Sequence, residues 1–478
     1  MEKEIASERE MDKVEDIRQT YGKILRGDAH GLKRFYQNKP ADALFDQITA
    51  CKDTVFHIAA QKGSKEVIVA LLKMVPTPRR LELLNMKNIQ GNTIVHEVAT
   101  TENVEVADSL LRKLLSSNGP TVNNELDIGV IRKQTLGDRN NLGETPLFRA
   151  AEFGKTAMVK FLVQQVEEVG NLHDHYRRDD GVTILHCAVL GQYFDTAIWL
   201  LKKDPLLATY KDKNGKTILH LLARMPTAFK STSDMKKLEL FIYNCFPSHS
   251  DDDNEAGQLC SSQMNDLECG KLSKSHHLSK RYTDSKMNRT ICKWLANRWE
   301  TLGGIWKRKI THTLAVKLVE MLVRRDTTWF VAHAQEQDTI CLERRQREEA
   351  EIKIEEGISK IGSSGKRSKS PDTPLLIAAS TGIMEIVTLI LKVYPQAVEH
   401  VSQKGQNILH VSILHRQVKI YELVIHQKKE AAKRLVLGID NDGSTILHHA
   451  ADTTHYNGGI RHNPVLKLQK ELEWFEVN

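Results

Sequence analysis

Asp212-Lys213-Asn214-Gly215-Lys216-Thr217-Ile218-Leu219-His220-Leu221-Leu222-Ala223 joins a turn signal, Asn-Gly, to Thr-x-x-His and an apolar run that reads as helix. The phrase returns as Asp180-Gly181-Val182-Thr183-Ile184-Leu185-His186-Cys187-Ala188 and as Asp442-Gly443-Ser444-Thr445-Ile446-Leu447-His448-His449-Ala450. Such recurrence marks a repeat architecture, which decides the fold before any single residue is weighed. The Thr slot falls at Thr54, Thr93, Thr145, Thr183, Thr217, Thr373, Asn407 and Thr445, in steps of 39, 52, 38, 34, 156, 34 and 38 residues.

A period of about 33 residues with T-P-L-H-x-A at its head is the signature of the ankyrin repeat, and this chain resembles an ankyrin protein with small insertions and one large one. Thr145-Pro146-Leu147-Phe148 and Thr373-Pro374-Leu375-Leu376 keep the Pro and lose the His. A step of 34 back from Thr54 reaches Thr20, where Tyr21–Leu25 and Leu32–Phe35 read as a degenerate first repeat suited to a cap. Each slot has a physical task. Thr caps the first helix through its hydroxyl, Pro is pre-set for helix entry, and the Leu and Ala positions face the stack. Gly63, Gly154, Gly191 and Gly382 follow the first helix, where glycine permits a left-handed stop.

The chain has 478 residues, 27% of them charged and 40% hydrophobic, with a formal charge of +7. That balance is globular, and its basic excess is small for a nucleic-acid binder. Seven Cys, none in a Cys-x-x-Cys pair, fit a reducing compartment. The charged Met1–Ile5 opening is unlike a signal peptide, and no apolar run approaches the ~18 residues of a membrane span.

The expected fold is all-α, an ankyrin solenoid in two blocks separated by a long, partly disordered insert. A charged lead-in covers 1–19, the first block 20–230 and the insert 231–290. A helical segment packing near the second block covers 291–342, a charged flexible linker 343–371, the second block 372–451 and an amphipathic helix 452–478.

Three segments narrow the resemblance. Leu468, Gln469, Glu471, Leu472, Trp474 and Phe475 in the tail are similar to a phrase of the plant ankyrin proteins of the accelerated-cell-death and salt-tolerance type. In that family the phrase leads to a Pro-Gly-Gly membrane domain, which this sequence lacks. Ile413–Ile420 and Lys309–Ala315 resemble the same family's penultimate repeat and pre-repeat helix. The resemblance implies a non-enzymatic protein-interaction scaffold in plant defence or abiotic-stress signalling. It would be tethered by a missing C-terminal domain to the cytoplasmic face of a membrane, the plasma membrane, and be cytoplasmic and soluble as given. The other reading is a soluble ankyrin adaptor presenting partners, for example to a ubiquitin ligase.

No catalytic residue, cofactor or metal ligand is expected. The slot histidines His57, His96, His186, His220, His410 and His448 repeat with the unit and so read as structural. Cys260, Cys269, His276 and His277 lack the tight pair spacing of zinc sites, and His449 with His455 lacks supporting carboxylates or thiolates. Gly303-Gly304 reads as a turn, Lys366–Lys369 as a solvated run, and Trp294, Trp299 and Trp306 as packing. No glycine-rich phosphate loop, Gly-x-Ser-x-Gly or kinase phrase is present. What remains is the concave face, whose turn tips supply candidate partner-binding residues: Lys87, Asn88, Gln90, Arg177, Arg178, Lys211, Lys213, Gln403, Lys404, Asp440 and Asn441. Mixed charge there favours protein over nucleic acid.

Overall fold

The computed structural model describes residues 2–76, 79–115, 125–246, 300–330 and 372–452, and among them regular structure is helical with no strand. Isolated bridges Gln47–Thr54 and Arg177–Thr183 brace two of the turns. The chain forms two units, Met1–Asn214 and Gly215–Asn478.

The first unit stacks helix pairs. Its inner row is α1 (Glu2–Arg26), α3 (Val55–Lys62), α6 (Ile94–Ala99), α9 (Pro146–Glu152) and α11 (Ile184–Leu190), each packed on the next. Its outer row is α2 (Ala29–Gln37), α4 (Lys65–Met74), α7 (Val104–Leu115), α10 (Thr156–Glu167) and α12 (Phe194–Lys203). From α3 onward each outer helix begins ten residues after its inner partner. Two further helices, α5 (Arg80–Asn85) and α8 (Glu125–Gly137), precede the turns at 88–91 and 140–143. The lead-in and the first inner helix are one continuous helix, so no boundary falls near residue 19.

Apolar side chains fill the space between rows. Phe56, Ile68, Leu71, Ile94, Phe148, Leu162, Leu185 and Phe194 are fully buried or nearly so. At roughly 25 cal/mol per Å² such burial supplies most of the favourable energy of a helical stack. Gly63, Gly154 and Gly382 end their helices at positive φ, as expected. Gly191 does not: it stays right-handed at φ −74°, and Gln192 takes the left-handed position at φ 58°.

The second unit opens with α13 (Ile218–Leu222), the inner helix of the Thr217 repeat, followed by α14 (Lys237–Cys245). Residues 231–246 therefore fold, contrary to the expectation of an insert beginning at 231. The outer-helix place beside α13 is taken by α15 (Glu300–Arg325), which packs on α13, on α14 and on α17 (Met384–Val393), the outer helix of the next repeat. Gly303 and Gly304 lie inside α15 and form no turn. The inner row continues through α16 (Pro374–Thr381), α18 (Ile408–Leu414) and α21 (Ile446–Ala451), with α19 (Val418–Gln427) and α20 (Lys429–Val436) behind. The long insertion falls after α14, on either side of α15.

A polar staple fixes α15 in that place. His312 Nδ1 meets the Tyr243 hydroxyl at 3.1 Å and its Nε2 meets Ser233 Oγ at 3.2 Å. Lys309 Nζ donates to the Tyr243 carbonyl at 3.0 Å. Trp306 packs edge-on against Phe246, and Tyr243, Phe246 and Ile305 form a small apolar cluster. Thr381 Oγ1 donates to the Ala223 carbonyl at 2.8 Å, joining adjacent repeats.

The last inner helix is different. Leu447 occupies the slot of Leu185, Leu219 and Leu409, which are 0% exposed, yet it is 67% exposed. That slot is covered by the following repeat, and no described residue follows Asp452. The tail helix, Trp294, Trp299, Cys260, Cys269, His276, His277, His455, Lys366–Lys369 and the linker 343–371 all lie outside the described residues.

Candidate functional site

The slot histidines are fixed by geometry. In the Thr54 turn, His57 Nδ1 accepts from the Thr54 backbone N–H at 3.3 Å and meets the Thr54 hydroxyl at 2.9 Å. An accepting Nδ1 places the proton on Nε2, which donates to the Asn92 carbonyl of the next turn at 3.2 Å. His96 repeats this one step on, with Nε2 3.0 Å from the Glu144 carbonyl. Burial lowers the pKa of His57, and that of His96 to about 4, so both hold their neutral form. These rings cap one helix and tie two repeats, which occupies both nitrogens.

Beside them runs a ladder of buried polar side chains in the first unit. Asn88 Nδ2 donates to Asp53 Oδ1 at 2.9 Å and to Glu97 Oε1 at 3.0 Å. Asn92 Nδ2 donates to the same Glu97 oxygen at 2.8 Å, and Gln61 Nε2 to its other oxygen at 2.9 Å. Asn140 Nδ2 bridges Asn92 Oδ1 at 2.9 Å and Glu144 Oε2 at 2.8 Å. Glu144, with a side chain 0% exposed, pairs with Arg178 at 3.0 Å and with Arg149 at 3.7 Å. Arg178 also grips Asp180 at 2.6 Å, which raises the arginine's pKa and lowers the carboxylate's. Buried carboxylates survive here because each oxygen of Glu97 and Glu144 finds a donor.

The ladder sets which turn residues remain free for a partner. Asn88 and Asp440, expected as surface contacts, are buried instead. Asn88 is a rung of the ladder, and Asp440 accepts from the Ser444 and Asp442 backbone N–H groups and from His449 Nε2 at 2.8 Å. Arg178 is half-buried and committed to two carboxylates. Lys87, Gln90, Arg177, Lys213, Gln403, Lys404 and Asn441 are exposed, and Lys211 is intermediate. Asn441 spends its amide on the Gln403 carbonyl at 2.9 Å, as Asn141 does on the Ile89 carbonyl at 2.9 Å. The turn glycines make these approaches possible. A Cβ on Gly91 would lie 2.4 Å from Asn141 Oδ1, and one on Gly143 2.2 Å from Asp179 Cγ.

Residues not foreseen from the sequence complete the surface. Leu142 on a turn tip is 57% exposed, and Phe153 and Leu190, at the ends of α9 and α11, are 40% and 57% exposed. Arg149 stacks over Phe153 with 4.7 Å to the ring centroid. The signal was present: four residues after the Thr slot stand Glu97 and Arg149, where other copies have Ile58, Cys187, Ile377 and Val411. Cys187 is buried and its thiol is pushed up to about 12 by that burial, which leaves no thiolate for chemistry. Among the described residues no group of three His, Cys, Asp or Glu is placed to hold a metal ion, and no helix is long and apolar enough to cross a membrane.

Comparison with known proteins agrees with the geometry. Residues 122–207 match the family model of ankyrin repeats (3 copies). A stretch of 167 residues is 28% identical to alpha-latrotoxin-Lh1a of Latrodectus hasselti, covering 34% of this chain and 10% of the toxin. The chain thus spans a small fraction of that relative's length. An inner and outer row of paired helices, Thr-x-x-His caps tied turn to turn, and the family match establish a helical protein that contains ankyrin repeats.

Proposed function

We propose that this chain is a non-enzymatic scaffold that binds another protein through the turn tips and inner helices of its first unit. The observation that supports this most is the combination of a buried, hydrogen-bonded polar floor with exposed apolar residues, Leu142, Phe153 and Leu190. Apolar anchors on a preorganised surface are what protein recognition uses, and ankyrin repeats generally serve protein binding. Lys87, Gln90, Arg177, Lys211 and Lys213 would form its polar rim, and Gln403, Lys404 and Asn441 a second contact on the other unit. The plant defence or stress setting, with a membrane tether, rests on the resemblance of Lys309–Ala315, Ile413–Ile420 and the tail.

Proximity labelling with the wild-type chain and with Leu142→Asp/Phe153→Asp tests the binding face. Both positions are exposed, so the thermal unfolding midpoint should stay within error while labelled partners fall at least tenfold. Equal labelling by both chains rules this face out. Fractionation of the product of an extended reading frame tests the tether, and the adaptor reading takes its place if the product stays out of membranes.

A further inference from the structure

The first unit repeats a charge as well as a cap. Six residues before the Thr slot stand Lys87, Arg139, Arg177 and Lys211, one on each of four successive turns. The opening turn has Ile48 at that place, and the second unit has Val401 and Ile439. The matching residue before Thr373, Arg367, lies outside the described residues.

The side chains run from turn to turn. Lys87 Nζ donates to the Arg139 carbonyl at 2.9 Å, and Arg139 Nη1 donates to the Arg177 carbonyl at 2.9 Å. Arg177 lies over the ring of Tyr210, the neighbour of Lys211 in sequence, with 4.9 Å to the centroid. Each cation thus reaches the turn that carries the next, and the four form one row along the tips. Carbonyls and a ring orient these groups without neutralising them. Arg139 meets Asp179 at 3.4 Å, but among the described residues no ion pair holds Lys87, Arg177 or Lys211. Lys87, Arg139 and Arg177 are exposed, and Lys211 is partly so.

The spacing of the row describes what fits it. Packed helices lie about 8–10 Å apart, so successive inner helices set their turns at about that interval. An extended segment rises about 3.3 Å per residue. A carboxylate at about every third residue of such a segment therefore meets one cation per repeat. A nucleic-acid backbone fits less well, because its charge is unbroken and would meet Asp179 in the row and Asp138 close to Lys87.

We propose that Lys87, Arg139, Arg177 and Lys211 receive an extended acidic segment of a partner protein, with a carboxylate at about every third residue. This rests on the reading of the turn tips as a protein-binding face, and adds the partner's charge and its spacing.

Fluorescence anisotropy of the full chain tests this with two labelled peptides of one composition. One carries Glu at every third position, and the other has its Glu gathered at one end. The spaced peptide should bind at least tenfold tighter, and more weakly as salt is raised. Lys87→Gln/Arg177→Gln/Lys211→Gln should weaken it at least tenfold with the thermal midpoint unchanged. Lys87→Arg/Arg177→Lys/Lys211→Arg keeps the charge and should bind within about twofold of the wild type, which separates lost charge from damaged turns. Equal affinity for the two peptides overturns the proposal, as does spaced-peptide binding unmoved by the Gln variant. Tighter binding of a single-stranded oligonucleotide than of the spaced peptide also overturns it. Proximity labelling separates this proposal from the reading it rests on. Partners lost with Leu142→Asp/Phe153→Asp but kept with the Gln variant leave the binding face standing and overturn the acidic partner. Partners lost with the Gln variant but kept with Leu142→Asp/Phe153→Asp uphold the row and remove the apolar anchors.

Discussion

The two units are written in the same phrase and held by different interactions. Four residues past the Thr slot the first unit carries Ile58, Glu97, Arg149 and Cys187, and the residue before that slot is Asp53, Asn92, Glu144 or Val182. The second unit has Leu221, Ile377, Val411 and His449 at the first place, and Lys216, Asp372, Gln406 and Ser444 at the second. The first unit therefore runs a buried ion and amide ladder along its turns, while the second has no carboxylate four residues past the slot, leaves Asp372 exposed, and joins its repeats by side chain to backbone bonds such as Thr381 on the Ala223 carbonyl and Gln417 on the Ser380 carbonyl. A buried ladder is unforgiving, because removing one member strands the others in low dielectric.

The largest contrast should come from the residue just before the slot. Glu144→Ala strands Arg149 and Arg178 and should cost about 3–5 kcal/mol. Ser444→Ala, at the same place in the second unit, should stay within roughly 0.5 kcal/mol, since the bonds there are made by its backbone. Urea unfolding of both variants reads the difference, and equal costs would erase the distinction between the units.

Next comes a contrast within the second unit. Leu219→Ala should cost roughly 2–5 kcal/mol and loosen its neighbours. Leu447→Ala, identical in sequence slot but exposed, should cost less than about 0.5 kcal/mol. A large loss at Leu447 would mean that residues beyond 452 cover it.

Acid should act on both units and more on the first. The folded pKa of His96 and of His175 is about 4, and in the second unit that of His312 is about 4, in each case through burial. A histidine depressed below its unfolded value near 6.5 lends its full stability above that value and loses it as pH falls toward 4. Between pH 7 and 5 each should cost about 2 kcal/mol. Urea midpoints at pH 7, 6 and 5 check the sign: a midpoint that rises on acidification contradicts buried neutral histidines.

Much of this was legible in the sequence. The Thr slot located every inner helix from α3 onward, because the cap, the apolar run and the stop are local. The place of α15 was not legible as that of an outer helix: its partner α13 begins at residue 218, so the ten-residue offset that marks other pairs is lost across the insertion. Helix α8 lies in an extension with no copy elsewhere in the chain to compare. The ladder was missed because its members were judged singly. Asn88 looks like any solvated turn residue until Asp53 and Glu97, 35 residues before it and nine after, are brought to it by the stack.

Hydrogen exchange of the intact chain, free and bound to a partner captured by proximity labelling, tests the binding face most directly. Added protection is predicted over 88–92, 140–153 and 178–190, the turns and inner helices that carry Gln90, Leu142, Phe153 and Leu190. Protection confined to the outer helices α4, α7, α10 and α12, or to the second unit alone, would contradict it.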